Sequence, residues 1–138
     1  MAVSGGSTPK ALFRRLAGAD IPWQEVLITL VDERWVEPSN RDSNEGLVRQ
    51  YLLQDRAAAA TFIGLKNFFP TAGQGEAECA LRLAEVPRPF TVLLLGMGND
   101  GHSASLFPGA DRLAAATDMN SGRICMAVTP KTVPHARM

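Results

Sequence analysis

The sequence predicts an α/β fold, a mainly parallel sheet flanked by helices, in a single domain over residues 1–138. Three observations predict it. Val26-Leu-Ile-Thr-Leu-Val31 and Phe90-Thr-Val-Leu-Leu-Leu95 are short apolar runs of the kind that form strands covered on both faces. Segments with apolar residues at helical spacing lie between such runs, the alternation that builds parallel sheets. Each run also ends in a polar or glycine-rich turn, where a parallel strand delivers functional groups to the carboxyl edge of its sheet.

Composition narrows the function classes. Hydrophobic residues make up 46% of the chain, enough for a globular core, and 14 basic residues balance 14 acidic ones. Zero net charge gives no electrostatic case for nucleic acid or a membrane surface, although a local site for a small anion remains open. Cys79 and Cys125 are isolated and lie in apolar segments, so they read as buried free thiols, with a disulfide as the alternative, rather than metal ligands. The sequence shows no charged-then-apolar leader and no apolar run of membrane-spanning length, which makes the cytoplasm the expected compartment.

In chain order, Met1-Ala-Val3 reads as the end of a strand whose beginning is missing. Ser4-Gly-Gly-Ser-Thr8 turns the chain into a helix, with Thr8 as the expected N-cap and Pro9 in the first helical position. Phe13 and Leu16 mark its apolar face, and Gly18 ends it. A glycine-rich turn opening a helix can bind an anion, because N–H groups converge at a partly positive helix end. Taken alone it also reads as an ordinary strand-to-helix turn, and no Gly-Lys-Ser/Thr closes it as a nucleotide loop.

After the Val26–Val31 strand comes Asp32-Glu-Arg-Trp-Val36. Charges at the end of a buried strand are costly unless they meet partners or a ligand. Asp32 and Arg34 are the functional candidates, and Glu33 is expected to face solvent. Asp42 or Ser43 should cap a helix running to about Gln54, with Leu47, Val48, Tyr51 and Leu52 as its stripe and Asn44 as a helix-start residue. Thr61-Phe-Ile63 is a short strand. Residues 66–75 read as irregular, and 76–85 as a helix with Ala77, Ala80, Leu81 and Ala84 on its packed side. Phe90–Leu95 is expected to be fully buried. Further on, 111–118 reads as a short helix, Arg123–Val128 as a strand and 129–138 as an extended, proline-punctuated segment.

The stretch Gly96-Met-Gly-Asn-Asp-Gly-His-Ser-Ala-Ser-Leu-Phe-Pro-Gly109 carries one of only two histidines in the chain. It resembles the signature of the 6-phosphogluconolactonases, in the glucosamine-6-phosphate isomerase/6-phosphogluconolactonase family. Ser4-Gly-Gly-Ser-Thr-Pro9, Asp32-Glu-Arg-Trp-Val36 and Asp42-Ser-Asn44 agree with it, in the family's order. The resemblance implies a modified Rossmann-like, deaminase/isomerase-like architecture. Against the family the chain is expected to be incomplete at both ends.

The resemblance also implies a reaction, hydrolysis of 6-phospho-D-glucono-1,5-lactone to 6-phosphogluconate in the oxidative pentose phosphate pathway. Lactone hydrolysis needs a water made nucleophilic at neutral pH, and histidine is the side chain suited to that. His102 is the expected general base. Asp100 would hold its imidazole or orient the loop, and Asp32 would position His102 or a substrate hydroxyl. Gly5, Gly6, Ser7, Thr8 and Arg34 would bind the phosphate. In the family, the arginine of a Pro-x-x-Arg segment meets the sugar phosphate, and Pro134-His-Ala-Arg137 loosely matches that pattern, so Arg137 joins the set. A family lysine beyond residue 138 has no match here.

This chemistry calls for no metal and no cofactor. The expected partner is a small sugar-phosphate lactone, with no nucleic acid or membrane, and the oligomeric state is not legible. Two other readings stand beside it. Glucosamine-6-phosphate deaminases share the Asp-Gly-His core, but carry a glutamate five residues after the histidine, where this chain has Phe107. The chain could also be a sugar-phosphate-binding fragment without turnover.

Overall fold

The structure, a computed structural model, describes residues 1–131 and 133–138; Thr132, within the expected extended segment, lies outside the described residues. Four short strands form one sheet: β1 (Ala2–Val3), β2 (Leu27–Leu30), β3 (Thr61–Ile63) and β4 (Leu93–Leu94). Their order is β3-β2-β1-β4, and every pair is parallel. Ala2 sits between Thr29 and Leu93, and Val3 between Leu30 and Leu94. The chain runs outward from β1 to β3, then returns to place β4 on the other side of β1. The switch in direction opens a crevice at the carboxyl ends of β1 and β4, where open α/β sheets place their ligands.

Four helices accompany the sheet: α1 (Lys10–Ala17), α2 (Asn44–Tyr51), α3 (Ala72–Ala84) and α4 (Leu113–Ala116). The core gathers Val3, Phe13, Trp23, Ile28, Leu30, Val48, Leu52, Cys79 and Leu83. Thr29, polar in the middle of β2, donates its hydroxyl to the Ile63 carbonyl at 2.8 Å, which removes the penalty for burying it. Ser43 caps α2 by accepting from the Gly46 N–H at 3.0 Å, as the loop composition predicts.

Several expectations are corrected. Thr8 is not the cap of α1: Pro9 occupies the N-cap position, no side chain caps the helix, and Thr8 is exposed. Helix α3 begins at Ala72, because Thr71 accepts from the Gln74 N–H and starts it earlier than the two glycines suggest. Its buried face is Ala72, Gly75, Cys79 and Leu83, and Leu81 is 69% exposed. Gly75 lies on that face because Trp35 packs there; a Cβ would sit 2.4 Å from its ring.

The Phe90–Leu95 run is not fully buried. Only Leu93 and Leu94 pair, among the described residues β4 pairs with β1 alone, and Val92, Leu93 and Leu95 are each about half exposed. Leu93 and Leu95 line an apolar cleft of about 330 Å3. Arg123–Val128 does not form a strand. The Ala127 N–H donates to the Glu76 carboxylate at 2.7 Å instead of to a neighbouring strand, and Val128 makes a single antiparallel rung with Arg137. No helix of the described residues is long and apolar enough to cross a membrane.

Candidate active site

The crevice at the switch point is a cleft of about 570 Å3. The turn after β1 contributes Ser4, Gly5, Gly6 and Thr8, the end of β2 contributes Asp32 and Arg34, and the loop after β4 contributes Gly96, Met97, Gly98 and His102. Three strand ends thus bring one base, one carboxylate and one cation to a common space. Ser7, of the same turn, is exposed and does not line the cleft.

The loop after β4 folds on itself. The Gly98 N–H donates to the His102 carbonyl at 2.8 Å, and the Gly101 N–H donates back to the Gly98 carbonyl at 2.9 Å. Gly101 has φ +83°, a conformation that favours glycine. The tight loop puts the Asp100 carboxylate 2.5 Å from His102 Nδ1. Asp100 accepts there, so the ring carries its proton on Nδ1 and presents a lone pair at Nε2. The hydrogen bond from His102 holds the Asp100 carboxyl below its usual range. The ring packs on Phe107, with centroids 4.4 Å apart. Gly98 makes room for this pair: a Cβ there would meet the ring at 2.2 Å and the Asp100 carboxylate at 2.8 Å.

Asp32 does not touch His102. Its Oδ1 accepts from Asn44 Nδ2 at 3.2 Å and its Oδ2 from the Ser105 hydroxyl at 2.6 Å, so β2, α2 and the loop after β4 are tied together. Arg34 Nη1 donates to the Asp42 carbonyl and to Asn44 Oδ1, both at 2.8 Å. Asn44 therefore bridges the acid and the cation. Gly5 lets it do so, since a Cβ at Gly5 would sit 1.8 Å from Asn44 Oδ1.

The sequence places Asn44 at a helix start, within the Asp42-Ser-Asn44 block that agrees with the family signature, and does not single out Ser105. Their signals were present in Asp42-Ser-Asn44 and in Ser103-Ala-Ser105, short polar clusters beside the candidate groups.

Glu33 is the largest departure from expectation. It is fully buried rather than facing solvent. Its carboxylate accepts from the Arg34 and Asn44 N–H groups on Oε1, and from the Ser43 hydroxyl and Glu45 N–H on Oε2. Burial pushes its pKa above the usual glutamate range, and the four donors oppose that shift.

Arg137 is buried, bridged antiparallel to Arg34 on one side and to Val128 on the other, with its guanidinium 6.0 Å from the Phe107 ring centre. It does not line the cleft. Its Nε and Nη1 have no hydrogen-bond partner among the described residues. Burial, and then the Arg34 charge, lower its pKa. Burying a guanidinium with unmet donors is costly, so Arg137→Met is expected to be neutral or to raise stability, by up to about 4 kcal/mol. An unchanged or increased midpoint of urea unfolding is the check, and a decrease would show that the guanidinium is satisfied.

Fold and site together define an α/β protein with a switch-point cleft that holds a histidine–carboxylate pair and a cation. All 138 residues match the sequence family described as glucosamine-6-phosphate isomerases/6-phosphogluconolactonase, and the chain belongs to that family. It is 46% identical over 140 residues to the 6-phosphogluconolactonase of Pseudomonas aeruginosa, across 100% of this chain and 58% of that protein. It is 49% identical over 123 residues to that of Rhizobium meliloti, across 89% of this chain and 53% of that protein. The structure superposes on the crystal structure of a 6-phosphogluconolactonase from Shewanella baltica with a TM-score of 0.95 at 51% identity, covering 99% of this chain and 57% of that one. The chain thus spans under two thirds of the length of the relatives it matches.

Proposed function

We propose that this chain carries the site for hydrolysis of 6-phospho-D-glucono-1,5-lactone to 6-phosphogluconate. The observation that carries the reading is His102, fixed by Asp100 through Nδ1, in the same cleft as Arg34 and the glycine-rich turn. The family relationship supports it.

His102 Nε2 takes a proton from water as the oxygen attacks the lactone carbonyl. The tetrahedral intermediate then collapses, the ring C–O bond breaks, and the proton passes to the departing ring oxygen. Arg34 and the N–H groups of the Gly5–Gly6 turn supply the charge and donors that a phosphate needs. Arg137 reinforces the positive field from behind Phe107. Asp32, locked by Asn44 and Ser105, orients this wall of the cleft.

The deaminase alternative needs a titratable group where Phe107 stands. Phe107 packs its ring on His102 and cannot transfer a proton. Among the described residues Asp32 is the one carboxylate lining the cleft, and it is already engaged by two donors.

The direct test is hydrolysis of freshly prepared lactone by the purified chain, measured against the spontaneous rate. Acceleration supports the proposal. A rate equal to the spontaneous one, in a chain that still binds 6-phosphogluconate, favours the binding-fragment reading. Gly98→Ala provides a geometric check. The added methyl displaces the His102–Asp100 pair and is expected to lower turnover about 10²-fold. The melting temperature should stay near that of the parent, because the pair lies outside the core. Unchanged turnover would show that this loop geometry does not matter for the reaction.

A further inference from the structure

Cys79 and Cys125 take no part in the chemistry above, yet the fold packs Cys125 against the helix that carries Cys79. Cys79 lies on the buried face of α3 and is fully inaccessible. Cys125, 46 positions later in sequence, packs against the same core. Its thiol donates to the Glu76 carbonyl at 3.6 Å, and Glu76 precedes Cys79 by three residues, one turn of the same helix. Glu76 also anchors the segment from its side chain, which accepts from the Ala127 N–H at 2.7 Å. Residues 125–127 are therefore clamped against the turn of α3 that carries Cys79.

The two thiols differ in access and in chemistry. Cys125 is partly exposed and lines the apolar cleft of about 330 Å3, together with Arg88 and Arg123. The neighbouring Cys79 thiol lowers the pKa of Cys125, and Arg88 adds to this; burial and the Glu76 carboxylate oppose it. Cys79 shifts the other way, upward, through its interaction with Cys125 and through burial, with Arg82 lowering and Glu78 raising it slightly. A partly exposed thiol beside a fully buried one is the arrangement of an attacking and a resolving cysteine.

We propose that Cys125 and Cys79 form a peroxide-reactive dithiol site, in a cleft that adjoins the His102 cleft along Asp32, Leu95 and Ala104. The Cys125 thiolate attacks hydrogen peroxide: an S–O bond forms, the O–O bond breaks, and hydroxide leaves and is protonated to water. The Cys79 sulfur then attacks the sulfenic sulfur, giving up its proton as the S–O bond breaks and a second water departs. Two thiols are oxidised to one disulfide, and one peroxide is reduced to two waters. The disulfide ties α3 to the segment that leads into Val128, whose backbone exchanges two hydrogen bonds with Arg137.

The test is titration of the native chain with hydrogen peroxide, followed by thiol counting and peptide mapping under non-reducing conditions. The expected result is joint loss of both thiols, a cross-link between the Cys79 and Cys125 peptides within one chain, and full reversal by dithiothreitol. Cys79→Ser should stop at a sulfenic acid on Cys125 that dimedone captures. Cys125→Ser should leave Cys79 reduced.

Iodoacetamide labelling of the unmodified parent needs no variant to fold. Cys125 should react at least about tenfold faster than Cys79. Three results would overturn the proposal: equal labelling of the two cysteines, oxidation of Cys125 with Cys79 left reduced, or a disulfide only between chains.

Discussion

Replacing His102 by alanine is expected to lower lactone hydrolysis by roughly 10²–10⁴-fold, the range that a positioned general base contributes. Binding of 6-phosphogluconate and the melting temperature should change little. The separation follows from where the side chain sits. His102 is part-exposed, touches Asp100 and Phe107, and belongs to neither hydrophobic cluster, so its removal opens no core cavity. The cation that faces the cleft is on another element, Arg34, and Asn44 and the Asp42 carbonyl fix it without help from His102.

The measurements are kcat and KM for the lactone and calorimetric affinity for the product, on parent and variant. A fall in kcat at unchanged affinity identifies the base. A loss of affinity at unchanged kcat makes His102 a ligand contact, and unchanged kinetics remove it from the reaction.

Asp100 adds a pH dependence whose sign is fixed by its lowered pKa. The ionised Asp100 carboxylate is fully present above the ordinary carboxylate range, and it is lost as the pH falls through the lowered value. At neutral pH the carboxylate therefore holds the imidazole in the tautomer that leaves Nε2 free.

Much of the frame was legible in the sequence because it rests on local chemistry. Val26–Val31 and Thr61–Ile63 announce β2 and β3 by composition, and Ser43 announces α2 by its capping hydroxyl. The candidate base was legible from the glycine-dense turn around it. The misreadings share a different physics. Arg123–Val128 has strand composition, but a strand exists only if a neighbour accepts its N–H groups, and Glu76 takes the Ala127 N–H first. Phe90–Leu95 has the composition of a strand with two neighbours, and among the described residues it pairs with β1.

Thr8 has the chemistry of a cap, yet the helix starts one residue later than that role requires. Asn44 and Ser105 become site residues only when Asp32 lies between them, and they are 12 and 73 positions away from it in sequence. The local polar clusters mark Asn44 and Ser105 as candidates, but they do not encode that the two share one carboxylate over such separations.

Glu33 is the extreme case of that non-local encoding, and Glu33→Ala is expected to cost about 3–5 kcal/mol, a large part of the ~5–15 kcal/mol that holds a typical domain together. Read between Asp32 and Arg34 it looks like a surface charge. In the fold it sits under the N-terminus of α2 and takes hydrogen bonds from four donors, three of them backbone N–H groups. Alanine leaves those donors buried without an acceptor. It also releases Ser43, whose hydroxyl both donates to Glu33 and caps α2.

Glu33→Gln should cost less. Its amide oxygen can still accept one pair of donors, while its NH2 faces the other pair. The order parent, Gln, Ala in urea midpoint is therefore the diagnostic result, and equal midpoints for all three would show that the buried carboxylate carries no stability. The pH dependence separates the two variants from the parent in a second way. The folded pKa of Glu33 is raised, so the native state holds this proton more tightly than the unfolded chain does. The parent's stability contribution from this linkage is complete below the ordinary glutamate range, and it is lost as the pH rises through the folded value. Neither variant can titrate there, so the stability gap to the parent should narrow across that window. Asn44, Glu45 and Arg34 all hang from this one carboxylate. A collapse of phosphate-ester binding in Glu33→Ala, under conditions where the variant remains folded, would trace the geometry of the cleft to a side chain that never touches the ligand.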